Sequence, residues 1–132
     1  MILGTGIDLL KVSRIKKILD KYGDIFIKKV FSEDEIKKKK EIIFKVNTLA
    51  KSFATKEAFV KALGTGFTKQ ISFKDISLKN EQSGKPIIDL SKRAQGYLKR
   101  KTPKGYKAII NVSISDEQDY VISNVIISFQ KK

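Results

Sequence analysis

Two runs of alternating side chains constrain the fold most tightly. Over 106–115, Tyr106, Ala108, Ile110, Val112 and Ile114 occupy every second position. Over 119–129 the same spacing holds for Val121, Ser123, Val125, Ile127 and Phe129. A period of two sends successive side chains to opposite faces of a strand, so each run reads as a β-strand with one buried face. The segment between them, Ser115 to Gln118, predicts a hairpin turn. Such a hairpin is not stable alone and needs further strands or helices on its apolar face.

The rest of the chain supplies them. Residues 2–8 are a short apolar run ending in Gly6-Ile7-Asp8, which predicts a buried strand with Asp8 at its end. Val12, Ile15, Ile18 and Leu19 recur at helical spacing and predict a helix over Val12–Tyr22, with a second short helix over Asp24–Val30. Ser32, with Glu35 three residues on, has the form of a capping box that opens another helix. Leu49, Phe53, Val60 and Leu63, with alanines at 50, 54, 58 and 62, predict a long helix over 45–63. Gly64 is placed to cap that helix. Strands are expected at 71–79 and 86–90, joined by a turn over Asn80–Lys85, and a basic helix at Ser91–Lys101. No repeat and no linker divides the chain. The pattern predicts an α+β fold in one domain over 1–132: a curved antiparallel sheet with helices packed on it.

Composition narrows the chemistry. The chain has no cysteine and no histidine, which removes the usual zinc ligands and any Ser-His-Asp or Cys-His arrangement. Carboxylates, lysines, hydroxyls and backbone groups remain. Lys plus Arg total 28 against 14 for Asp plus Glu, a net charge of +14, which points to an anionic partner. Nearly all of that charge is lysine, and a run such as Lys37 to Lys40 reads as a solvated helix face. No apolar run reaches the length of a spanning helix, and the opening residues meet Asp8 with no basic segment before it. A soluble cytoplasmic protein is expected, with no membrane association.

Two carboxylates stand out by context. Asp8 ends an apolar strand, and Glu57 shares a helical stripe with Phe53 and Lys61. Taken alone, the spacing favours an exposed ion pair between Glu57 and Lys61, and Asp8 reads as a turn or helix cap.

The ordered set of motifs says more. Gly6-Ile7-Asp8 is followed, after residues 9–52, by Phe53-Ala54-Thr55-Lys56-Glu57-Ala58-Phe59-Val60-Lys61. This resembles the bipartite signature of 4′-phosphopantetheinyl transferases, G-x-D and then [FW]-x-x-K-E-[AS]-x-x-K. Further matches resemble the short class, the holo-acyl-carrier-protein synthases. They are Gly4-x-Gly6, Arg14-Ile15, Phe31-Ser32-x-x-Glu35, Gly64-Thr65-Gly66, Phe73-x-Asp75-Ile76, Gly84-Lys85-Pro86 and Val112-Ser113-Ile114-Ser115.

The resemblance implies transfer of 4′-phosphopantetheine from coenzyme A to a serine of apo-acyl carrier protein, for fatty acid biosynthesis, with release of adenosine 3′,5′-bisphosphate. It implies Mg²⁺ held by Asp8 and Glu57, Lys61 on phosphate oxygens, and Glu57 or a nearby water as base. Gly64, Thr65 and the segment Gly84, Lys85 and Pro86 would contact coenzyme A. Arg14, Lys17 and Lys21, with Lys16, would dock the acidic carrier protein. A homotrimer with sites between subunits is expected. Lys56 is a motif residue that points elsewhere on the helix.

Three positions depart from the pattern. Leu10 stands where some larger relatives carry a third acidic ligand. Asp116 stands where many members have a nucleotide-binding histidine, so Lys107 or a neighbouring subunit's lysine would have to supply the cation. Ser52 stands where a basic residue often precedes the motif Phe, with Lys51 beside it as substitute. The alternative class, a small basic nucleic-acid-binding domain, has the charge but no RNA- or DNA-binding motif. A catalytically inactive binder of carrier proteins has Asp116 as its only support.

Overall fold

The computed structural model describes residues 1–38 and 45–132, so Lys39 and Lys40 of the basic run lie outside the described residues. The elements in chain order are β1 (Ile2–Lys11), α1 (Val12–Tyr22), α2 (Asp24–Val30), α3 (Glu33–Lys38) and α4 (Val46–Leu63). A 3-10 turn (Phe73–Asp75), β2 (Ile76–Asn80), β3 (Pro86–Leu90), α5 (Lys92–Lys101), β4 (Tyr106–Glu117) and β5 (Tyr120–Lys131) follow.

The fold is α+β and antiparallel throughout, but its strands form two sheets where the sequence predicts one. β1, β5 and β4 form a three-stranded sheet with β5 in the middle, and β2 pairs only with β3. The alternating residues of β5 (Val121, Ser123, Val125, Ile127, Phe129) all lie on the buried face, as the pattern requires. The hairpin turn falls at Gln118-Asp119, with Glu117 opposite Tyr120, later than the hydropathy indicates. β4 simply continues through Asp116 and Glu117, whose polarity hides the last strand residues.

The strand expected over 71–79 begins only at Ile76. Before it, Ser72 and Asp75 form a reciprocal capping box that winds the backbone into the 3-10 turn. Asp75 also accepts from Ser91 Oγ (2.7 Å) and ion-pairs with Arg93 Nη2 (2.5 Å). Burial pushes the Asp75 carboxyl up, but the Arg93 guanidinium, the Ser72 N–H and the Ser91 and Ser72 hydroxyls outweigh it and hold it at about 2.

Helix α4 lies against the inner face of β1 and β5. Two glycines on β1 permit the approach: a Cβ on Gly6 would overlap the Ala58 carbonyl oxygen, and one on Gly4 the Ala62 carbonyl oxygen. The buried residues of α4 serve two core clusters, one with α1, α2 and Leu10, the other with β5, Ile76 and α5.

Within this core sits a charged pair. Lys56 is fully buried on α4 and its ammonium donates to Glu35 Oε1 (2.6 Å), the Val30 carbonyl (2.6 Å) and the Phe73 carbonyl (3.1 Å). Glu35 is buried on α3. It accepts from Ser52 Oγ (2.5 Å), the Leu78 N–H (3.3 Å) and the Ser32 N–H (3.1 Å), while Ser32 Oγ accepts from the Glu35 N–H. The capping box is therefore present, and its carboxylate also reaches the core. The three bonds of Lys56 tie α4 to α3, to the end of α2 and to the 3-10 turn.

Two outcomes follow for stability. Lys56→Met leaves the Glu35 carboxylate buried without its cation and is expected to cost about 3–5 kcal/mol in urea denaturation, whereas Glu35→Leu/Lys56→Met together cost less. Equal stability of Lys56→Met and the unsubstituted protein contradicts the assignment. Asp75 has a folded-state pKa below its ordinary value, so its stabilisation is present above the ordinary carboxylate range. It is lost as pH falls from about 4 towards about 2. Asp75→Asn should flatten that part of the acid-unfolding curve by about 1 kcal/mol, allowing for solvent screening at the exposed Arg93 end.

Candidate active site

The β1–α4 contact that Gly6 permits also sets the chemistry. Two residues beyond Gly6, Asp8 lies on the same inner face of β1, opposite Ser123 of β5. Its carboxylate Oδ1 accepts from Lys61 Nζ at 3.1 Å, and Lys61 Nζ also donates to the Ile7 carbonyl at 3.0 Å. Lys61 thus ion-pairs with Asp8 across the contact and not with Glu57 on its own helix. Glu57, one turn before Lys61, is half-buried beside them. Burial pushes its carboxyl above the ordinary range, the negative charge of Asp8 adds to that, and Lys61 and Arg14 pull the other way. Asp8, Glu57, Lys61 and Arg14 therefore share one electrostatic site. Arg14 was expected only on a docking face, yet its charge is felt at Glu57.

Among the described residues no group of three or more His, Cys, Asp or Glu side chains could hold a metal. The Asp8–Glu57 pair suits Mg²⁺, which takes one or two carboxylates and fills its remaining positions with water and substrate phosphate oxygens. Leu10 is buried in the core and contributes no ligand.

The loop after Lys61 is shaped by backbone. Gly64 adopts the left-handed conformation (φ 80°, ψ 7°) and its N–H caps Lys61 and Val60, as predicted. The Gly66 N–H also returns to Val60 (3.3 Å), and Thr65 Oγ1 donates to the Gly66 carbonyl (2.9 Å). These bonds fold Gly64-Thr65-Gly66 back beside the end of α4, adjacent to Lys61.

The Gly84-Lys85-Pro86 turn is not brought to this site. Gly84 and Pro86 line a cavity of about 300 Å³ with Thr48, Lys51, Leu78, Asn80, Ile114 and Asp116. Asp116 is on β4, separated from β1 by β5, which places it roughly 10 Å across the sheet from the β1 side. Lys51 and Lys61 stand about 15 Å apart along α4. The carboxylate pair and the 84–86 turn thus lie apart, both along α4 and across the sheet.

Asp116 meets Lys51 Nζ at 3.6 Å. Lys107, the cation expected to serve near Asp116, lies at the opposite end of β4 and lines another cavity with Tyr106 and Lys104. Ser52 is buried on Glu35 and leaves the surface role to Lys51. Lys56 of the motif belongs to the core and not to the site.

On α1, Arg14, Lys17 and Lys21 are exposed along one stripe, while Lys16 pairs with Asp20 (3.4 Å). Beside that stripe lies an apolar cavity of about 500 Å³ lined by Ile18, Tyr22, Ile25, Phe26, Phe53 and Phe73, with Lys29 and Val30. The basic stripe was legible in the sequence. The apolar cavity was not, because it is assembled from four separate elements.

Comparison with known proteins gives the family. Residues 4–124 match the 4′-phosphopantetheinyl transferase superfamily. The holo-[acyl-carrier-protein] synthase of Bartonella quintana is 40% identical over 127 residues, covering 96% of each chain. The crystal structure of the Neisseria meningitidis synthase superposes with a TM-score of 0.89 at 33% identity, covering 97% of this chain and 99% of that one. The Helicobacter pylori synthase in complex with coenzyme A gives a TM-score of 0.78 at 31% identity, covering 94% and 99%. The chain belongs to the holo-[acyl-carrier-protein] synthases of the 4′-phosphopantetheinyl transferase superfamily.

Proposed function

We propose that this protein transfers 4′-phosphopantetheine from coenzyme A to a serine of apo-acyl carrier protein, for fatty acid biosynthesis. The other product is adenosine 3′,5′-bisphosphate. The observation that carries the reading is the meeting of Asp8, Glu57 and Lys61 at the β1–α4 contact, in a chain of this family.

The reaction forms a bond from the serine oxygen to phosphorus and breaks the pyrophosphate bond. It requires charge neutralisation and positioning more than covalent help. Asp8 and Glu57 would hold Mg²⁺, which when bound supplies charge to neutralise the pyrophosphate and the leaving bisphosphate. Lys61, already at this site with its side chain half-exposed, exchanges its bonds to Asp8 and Ile7 for phosphate oxygens. Glu57, directly or through a water beside it, accepts the serine proton. Gly64-Thr65-Gly66 lets the pantetheine or pyrophosphate approach backbone closely.

Carrier protein docks on α1. The Arg14–Lys17–Lys21 stripe suits an acidic helix, and the neighbouring apolar cavity suits an apolar side chain of that partner. Ile7 and Leu9 are 56% and 64% exposed on the outer face of the three-stranded sheet, which is a surface for a second copy. A homotrimer also explains why one chain separates the carboxylate pair from the 84–86 turn, since a neighbouring copy can supply the missing half. Among the described residues no helix is long and apolar enough to cross a membrane. The reading places the protein in the cytoplasm, with no nucleic-acid or membrane partner.

Incubation with coenzyme A, Mg²⁺ and apo-acyl carrier protein should add the phosphopantetheine mass to the carrier, and folded protein that adds none refutes the proposal. Asp8→Asn and Glu57→Gln should each lower transfer by at least a hundredfold with the thermal melt retained, and full activity in either overturns the metal assignment. Lys17→Glu/Lys21→Glu should raise the KM for carrier protein tenfold or more while the KM for coenzyme A holds. An unchanged carrier KM removes α1 as the docking surface.

A further inference from the structure

The cavity bordered by Gly84 and Pro86 has a charge balance that bears on which donor it accepts. Among the described residues lining it, Lys51 is the one cation and Asp116 the one anion, and they pair at 3.6 Å. Both side chains are about two-fifths exposed, so either can turn to a ligand at little cost. The carboxylate itself cannot leave. Asp116 is held in the β4 ladder opposite Val121, one pair from the tight turn, and its side chain faces the cavity alongside Ile114. The remaining polar lining is uncharged: the Thr48 hydroxyl and the Asn80 amide, whose Nδ2 donates to the Gly84 carbonyl at 3.0 Å and braces the turn.

Such a cavity suits a ribose hydroxyl better than a phosphate. A carboxylate accepts hydrogen bonds from hydroxyls and repels phosphate. Dinucleotide sites use the same distinction, with an acidic residue for a free ribose hydroxyl and an arginine for a ribose phosphate. We propose that Asp116 sets donor specificity in this chain: it accepts from the ribose 3′-hydroxyl, so that 3′-dephospho-coenzyme A serves as a phosphopantetheine donor on a par with coenzyme A. The inference rests on the reading that the 84–86 turn borders the nucleotide end of the donor. Transfer from the dephospho donor balances in the same way: the serine oxygen bonds to phosphorus, the pyrophosphate bond breaks, and adenosine 5′-monophosphate leaves. Towards a dianionic 3′-phosphate the carboxylate offsets the attraction of Lys51, so the pair gives the phosphate no net gain, and removing the carboxylate's charge would restore roughly a tenfold gain at near-aqueous screening.

The test compares the two donors in each variant, by calorimetric Kd and by kcat/KM with apo-acyl carrier protein. A ratio taken within one variant cancels any loss of active protein. In the unsubstituted protein the donors should agree within about threefold. Asp116→Asn should shift the ratio towards coenzyme A by roughly tenfold, and Asp116→His by more, chiefly by lowering the Kd for coenzyme A. A preference for coenzyme A above a hundredfold in the unsubstituted protein, or a ratio unmoved by Asp116→Asn, overturns the inference and leaves the transferase reading standing. Absence of transfer from both donors refutes the transferase reading itself.

Discussion

The close approach of β1 to α4 is the constraint on which the rest of this structure depends. Space that side chains would occupy at positions 4 and 6 is filled by the carbonyl oxygens of Ala62 and Ala58. No other residue type leaves that space, because even one carbon at Gly6 collides with helix backbone. The glycines, together with the alanines at 58 and 62, bring the strand and helix backbones together. Asp8 follows Gly6 by two residues on the same face of β1, so the approach that buries the strand also carries its carboxylate to Lys61 and into the field of Glu57. The Gly-x-Asp half of the signature is thus one device with two parts: a space and a charge.

The Lys-Glu half divides differently. Adjacent helical residues face about 100° apart, and here the two faces are interior and site. Lys56 turns into the core and joins α4 to Glu35, the end of α2 and the 3-10 turn. Glu57 turns to Asp8. A buried ion pair contributes little net stability compared with well-packed apolar residues, so its value here lies in orientation. The network fixes α4 in rotation, and rotation of α4 decides which way Glu57 points. Ser52, Ser32 and Leu78 complete the hydrogen bonding of Glu35, so among the described residues no buried side-chain polar atom lacks a partner.

How much of this could be read from the sequence depended on range. Periodicity located the helices and the long hairpin, because each pattern is local and repeats. The capping box at Ser32 and Glu35 was visible, but not that Glu35 also meets Lys56, since nothing local marks a lysine as buried. The strand before Ile76 was misread because Ile71 and Phe73 supply strand-like hydropathy while the Ser72–Asp75 cap bends the backbone. The division into two sheets was not legible at all: nothing in the sequence of β2 and β3 marks them as a separate sheet, and pairing is decided by tertiary packing. At the site, the motifs identified Asp8, Glu57 and Lys61, but spacing favoured Glu57 as the partner of Lys61, and the fold supplied Asp8. The Lys51–Asp116 pair joins residues 65 positions apart, which leaves no trace in composition or spacing.

If steric room at Gly6 creates the acidic site, Gly6→Ala must disturb it, which Mn²⁺ binding followed by electron paramagnetic resonance, with the thermal melt recorded on the same sample, will show. The substitution should displace β1 from α4, weakening Mn²⁺ binding at least tenfold and lowering the melting temperature together. Mn²⁺ affinity and melting temperature equal to those of the unsubstituted protein would contradict it.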